Sequence, residues 1–235
     1  MIGTKRVFLS GGEPLIRNDF GDIAKLFAEN FILGLPTNAV ATQHKIDIIK
    51  KYFSLVNIGF EGPYNITSNV RGNYDLILDG IKAFIANNID FSMTSVIMKS
   101  YIDDVLFICD SAAALGAKKL KLVFPIKKGN AMDIPQYEFP TQEDSIIIAN
   151  KIKEAKARLG WKTTFTLCTW DKNTNGYSIL IHPNGNTYAW PVMTSDDKLE
   201  YIGNVIKEPI TAIWKRYNYK RNHFNKYLGK SIYVI

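Results

Sequence analysis

The residues best suited to chemistry fall in short polar runs, each directly after a β-rich segment. Ser10-Gly11-Gly12-Glu13-Pro14 follows the first segment, Thr37-Asn38 the second, Glu61-Gly62-Pro63 the third and Lys127-Lys128-Gly129-Asn130 the fifth. Paired glycines let the main chain approach a ligand closely and leave N–H and C=O groups available to bond it. Glu13 beside them can hold a cation such as an ammonium group. A tight turn with a capping acid accounts for an isolated Gly-Gly-Glu-Pro equally well. Cys109 and Cys168 are the only cysteines, which excludes a disulfide scaffold and a four-cysteine metal site built from these residues alone. Cys109 sits inside a helical pattern and reads as a small buried hydrophobe. His44, His182 and His223 lie in unrelated contexts and make no triad, and His182 reads as a residue flanking a turn.

The elements that must position these runs follow from periodicity. Strands are expected at Lys5–Ser10, Phe31–Pro36, Leu55–Phe60, Ile89–Met98 and Lys119–Phe124. Helices are expected after an N-cap at Asp19, then over Lys45–Tyr52, Tyr74–Asn87, Ile102–Leu115 and Gln142–Leu159, with a loop over Pro125–Pro140. Strand alternating with helix at this spacing means an α/β fold, a parallel sheet with helices over it. In such a sheet ligands bind at the carboxyl ends of the strands, where the polar runs fall. Near Trp161 the grammar changes. Thr163–Leu167, Tyr177–His182 and Thr187–Trp190 read as strands, the last two joined through Asn184-Gly185, a strong hairpin signal. The expected division is a β/α body over 1–160 and a small β-hairpin with a helical tail over 161–235.

Composition bounds the rest. With 235 residues, 46% of them hydrophobic, a large core can form and a disordered or fibrous chain is excluded. No run of eighteen apolar residues occurs, and the first residues lack the features of a signal peptide, so the expected setting is the cytoplasm with no membrane partner. The net charge of +7 is concentrated between Lys215 and Lys230, where six basic residues interleave with Tyr217, Tyr219, Phe224 and Tyr227 and no acid intervenes. That pattern suits a helix with a solvated basic face, or a surface that grips phosphates and stacks on bases. Nucleic-acid binding rests on charge alone and is not the expected partner.

Taken together, the motifs have a further meaning. Lys5–Phe20 closely resembles the second strand and loop of radical S-adenosylmethionine (radical SAM) enzymes, whose Gly-Gly-Glu-Pro loop holds the amino group of the SAM methionine moiety. The resemblance continues in order. Thr37-Asn38 is similar to the family's Thr-Asn-Gly turn, with Ala39 in place of glycine, and Ile58–Pro63 to its Ser-Leu-Asp-Gly strand. Val70-Arg71-Gly72 resembles the Arg-Gly that follows. The stretches at 181–188 and 202–214 resemble the C-terminal SPASM or twitch extension. The likeness spans about residues 5 to 215 and implies a partial (β/α)6 barrel, SAM as cofactor and a [4Fe–4S] cluster. It implies SAM contacts from Ser10, Gly11, Gly12, Glu13, Pro14, Thr37, Asn38, Glu61 and Thr94, with Ser92 a further candidate.

The departures matter as much. The family's Cys-x-x-x-Cys-x-x-Cys lies upstream of the Gly-Gly-Glu-Pro loop and has no counterpart in this sequence, so no metal ligand is assigned here. Cys168 falls where SPASM-type extensions place a first auxiliary-cluster cysteine, but its expected partner position reads Tyr188-Ala189-Trp190-Pro191, and it reads as inert. Gly59 and Glu61 replace the serine and aspartate associated with the SAM ribose. Arg17 reads as the partner of a helix carboxylate rather than of substrate. The resemblance implies reductive SAM cleavage and hydrogen abstraction from a substrate, a peptide or protein being the expected class. The chain by itself is expected to be inactive for want of cluster cysteines. The alternative is a cluster-free binding module that retains a SAM or peptide pocket. With its neighbour absent, the strand Val7–Ser10 is expected at a sheet edge, with self-association through that edge or a locally frayed N-terminus.

Overall fold

The computed structural model describes residues 4–127, 129–169, 178–190, 200–217 and 232–235. Lys128, the start of the expected strand at Tyr177, and the basic–aromatic tail beyond Tyr217 lie outside the described residues.

Six strands lie parallel in sequence order: β1 (Arg6–Phe8), β2 (Ile32–Thr37), β3 (Phe53–Gly59), β4 (Phe91–Val96), β5 (Lys119–Val123) and β6 (Thr164–Cys168). The helices α1 (Phe20–Ala28), α2 (Ile46–Tyr52), α3 (Tyr64–Arg71), α4 (Tyr74–Ala86), α5 (Val105–Ala114) and α6 (Gln142–Leu159) connect them. A second sheet of three antiparallel strands comprises β7 (Ser178–Ile181), β8 (Asn186–Trp190) and β9 (Tyr201–Asn204), followed by α7 (Ile210–Arg216). The C-terminal β10 (Ile232–Val234) returns to the main sheet and pairs antiparallel with β6.

Alternation along the strands decides which face is packed. Leu33, Leu35, Val56, Ile58, Met93, Leu120, Leu122, Phe165 and Leu167 form one core with helix residues such as Ile49, Ile81, Ile108 and Ile152. Residues between them face the opposite, inner side of the curved sheet. A stacked pair, Phe20 on Phe53 with ring centroids 5.3 Å apart, ties α1 to β3. The helix α6 matches its expected bounds because both ends are specified. Thr141 and Asp144 form a capping box, and Gly160 closes the helix at φ 69°.

Several elements differ from the expectations or were not anticipated. The helix expected from Ile102 begins at Val105, because Lys99–Asp104 forms a tighter 3-10 stretch with Tyr101 off helical angles. Asp19 precedes α1 but its side chain caps nothing, since Arg17 holds both carboxylate oxygens at 2.8 and 2.7 Å. The stretch Tyr64–Arg71 is a short helix of eight residues where no helix was expected. The main sheet also takes in β6 and β10, both from beyond residue 160. The strand β1 is shorter than expected and, among the described residues, sits at the sheet edge and pairs with β2 alone. At the opposite edge β10 covers β6. Phe165 and Ile235 exchange main-chain hydrogen bonds of 3.2 and 2.9 Å, and Lys156 Nζ donates to the Ile235 carbonyl.

Candidate active site at the carboxyl ends of the strands

The loop after β1 is anchored through Glu13. Its Oε1 accepts from the Leu15 N–H (3.1 Å) and the Thr37 hydroxyl (2.8 Å), and its Oε2 accepts from the Asn38 N–H (2.7 Å). One carboxylate thus caps the turn Pro14–Ile16 and crosslinks the ends of β1 and β2. All three donors are neutral, and the two carboxylate oxygens have lone pairs for a further donor. Gly11 and Gly12 are exposed, with open space where side chains would stand. The main-chain groups of Ser10, Gly11 and Gly12 make no hydrogen bond to other described residues. A half-buried acid beside uncommitted main-chain groups fits an ammonium-bearing ligand such as SAM.

The second loop adopts a conformation that asks for glycine. Ala39 has φ 65°, is fully buried, and accepts the Thr42 hydroxyl on its carbonyl. Gly80 of α4 permits the turn, because a Cβ there would lie 2.0 Å from the Ala39 oxygen. Thr37 donates to Glu13 and accepts the Ala39 N–H, which fixes the turn against the first loop.

The end of β3 is built differently. The Glu61 carboxylate is fully buried and held by Arg71 through a two-point fork, Nη2 to Oε1 at 2.6 Å and Nε to Oε2 at 2.8 Å. Pairing with Glu61 raises the Arg71 pKa against the opposing effect of burial. The guanidinium lies over Gly59, where a Cβ would stand 2.9 Å from Cζ. Gly59, Glu61 and Arg71 are therefore one interlocked set. Tyr101, whose hydroxyl donates to the Val96 carbonyl, flanks this set; burial and then the Glu61 charge push its pKa up to about 12.

The structure thus brings Ser10 through Pro14 together with Thr37 and Asn38, and places Glu61 in an internal ion pair. Thr94 lies on the inner face in register with Gly59 and donates to Asn57 Oδ1 at 2.9 Å, while Ser92 bonds the Asn57 amide and the Val56 carbonyl. Sequence reasoning placed Arg71 in the resemblance but missed its pairing with Glu61. The opposite charges ten residues apart were the available signal. A cavity of about 630 Å3 lies at the other end of the strands, between the C-termini of α5 and α6, where Trp161 donates to Asp110. It includes none of the expected site residues.

Residues 1–110 match the model of the Radical SAM superfamily. No curated protein matches the chain in sequence. Among solved structures, SuiB of Streptococcus suis superposes with TM-score 0.72 at 12% identity, over 94% of this chain and 57% of that one. The structure described as native anSMEcpe with bound AdoMet gives TM-score 0.66 at 14% identity, over 93% and 67%. A domain of pyruvate-formate lyase-activating enzyme from Bacteroides vulgatus gives TM-score 0.53 at 16% identity, over 68% of this chain and 98% of that one. The chain therefore spans a little over half the length of SuiB. The radical SAM match covers residues 1–110, a little under half of this chain, and the likeness to these solved structures is one of fold.

The superfamily implies SAM and a [4Fe–4S] cluster. The strand-end loops fit SAM on the grounds given above. The cysteines of this sequence do not fit the cluster. Cys109 and Cys168 are both buried, on α5 and β6, and burial raises both thiol pKa values. Among the described residues no three His, Cys, Asp or Glu side chains converge to hold a metal ion. No helix of the described residues is long and apolar enough to cross a membrane.

Proposed function

We propose that this chain supplies the SAM-binding and substrate-binding face of a SPASM-type radical SAM protein acting on a peptide. The observation that carries the reading is the anchored first loop. Glu13 is held by Leu15, Thr37 and Asn38, and the adjoining Ser10–Gly12 main chain is left to a ligand. The neighbouring structures of SuiB bound to precursor peptide SuiA and of anSMEcpe with bound Cp18Cys peptide support a peptide substrate.

In this reading Glu13 accepts from the SAM ammonium group, and the Ser10–Gly12 main chain bonds its methionine end. Thr37 and Asn38 hold the acid in place, while Thr94 and Ser92 line the inner face beneath. Bound SAM supplies the 5′-deoxyadenosyl group for hydrogen abstraction from substrate. The thiolates needed for reductive cleavage are not among the residues of this sequence, so no step is assigned to Cys109 or Cys168.

A second reading, a cluster-free binding module, is favoured by Gly59 and by the internal Glu61–Arg71 pair, which commits to the protein a carboxylate that the family resemblance directs toward the cofactor. Calorimetric titration with SAM, run beside Glu13→Gln, separates the two. Without a metal to chelate the methionine group, the enzyme-part reading expects binding near the millimolar range, weakened further by Glu13→Gln. Micromolar binding by the chain alone favours the binding module. Undetectable binding removes SAM from both readings, and measurable binding unchanged by Glu13→Gln removes Glu13 from the site.

A further inference from the structure

The inner face of the main sheet has a charge bias that the SAM reading does not use. None of its seven strands carries an Asp or Glu, and the only charged strand residues are Arg6, Lys119 and Lys121. All three fall on the inner side. Their strand neighbours Val7, Leu120 and Leu122 pack into the helix-side core, and side chains alternate across a strand. Lys119 and Lys121 are two residues apart on β5, so they stand on one face, Lys119 exposed and Lys121 half-buried.

Register places hydroxyls beside both ammonium groups. Ser92 and Thr164 flank Lys119, and Thr94 and Thr166 flank Lys121. The Thr166 hydroxyl is buried with no hydrogen-bond partner, a donor left over in the row that contains Lys121. Both lysines also act on Cys168, lowering the pKa of a thiol that burial raises. An ammonium group has three donors, so a contact within the fold leaves Lys121 others to offer.

We propose that Lys119 and Lys121, with the Thr166 hydroxyl beside them, recognise a carboxylate and select acidic peptide segments as substrate. This rests on the peptide reading above. Two cations on a face without strand acids attract an anionic ligand before contact and discriminate against a neutral one of the same size.

The test uses the full chain and two fluorescein-labelled peptides, hexaglutamate and hexaglutamine, followed by fluorescence anisotropy at physiological salt. Hexaglutamate should bind at least about tenfold more tightly than hexaglutamine, and Lys119→Met with Lys121→Met should remove that preference. Lys119→Arg with Lys121→Arg should retain it, which guards against loss of fold in the methionine variant. Lys50→Met with Lys51→Met, on α2, should change nothing. Equal binding of both peptides leaves peptide binding intact and overturns the acid preference. Binding of neither peptide overturns both. A methionine variant that loses SAM affinity while keeping its peptide preference assigns the lysines to the cofactor carboxylate and overturns the proposal.

Discussion

Two glutamates at neighbouring strand ends are held in opposite ways. Glu13 takes three hydrogen bonds from neutral donors at a half-buried loop and has no cationic side chain paired with it among the described residues. Glu61, fully buried, is neutralised by the Arg71 fork. The first arrangement fixes geometry and leaves charge for a cation from outside. The second spends its charge inside the fold, and Gly59 is what admits the guanidinium. A carboxylate at a strand end is therefore not by itself a ligand contact, and its donors decide.

The sharpest way to break this contrast is to remove Arg71. Arg71→Met strands a buried carboxylate and should cost about 3–5 kcal/mol in urea unfolding. Glu61→Gln should cost less, about 1–3 kcal/mol, because the Arg71 side chain is 30% exposed and can turn toward water. Equal costs would show that the pair does not sit in the asymmetric environment described. At the first loop, Glu13→Ala removes a cap and a crosslink but no charge partner, and should cost about 0.5–2 kcal/mol by the same measurement. A neutral result would make Glu13 a ligand-facing acid only.

Ala39→Gly sharpens the comparison from the other side. It relieves a left-handed alanine at φ 65°, but the unfolded chain gains freedom, so the net gain should be about 0.5–1 kcal/mol in thermal melts. The smallest expected effect concerns acid. Asp144 is driven up by burial, but hydrogen bonds from Lys99 and Thr141 outweigh that and leave its pKa below the usual carboxylate value. Its contribution to stability is present above the unfolded-state pKa and lost as pH falls through the lower folded one. Lys99→Met should move the acid edge of stability to higher pH, read from melting temperature against pH.

The contrast also shows how much was legible in advance. Gly-Gly-Glu-Pro, the order of strands and helices, and the bounds of α6 were readable because each rests on local signals: punctuation and period. The left-handed turn at Ala39 was readable only as a departure from glycine. The pairing of Glu61 with Arg71 was not, since α3 is only eight residues long and the contact depends on how its last residue folds back over Gly59. The β10 strand was missed for a related reason. Three residues at the C-terminus carry no periodicity, and their pairing with β6 is set by tertiary placement. The β1 edge, expected from the sequence, is where the described sheet ends.

The central claim is that the loops after β1 and β2 form the SAM site. Amide NMR of the 15N-labelled chain, titrated with SAM into the millimolar range, tests it directly. The account predicts shifts confined to residues 10–13 and 37–39 and the inner-face residues near Thr94, abolished or displaced in Glu13→Gln. Shifts clustered instead around Asp110 and Trp161, or none at all, would contradict it.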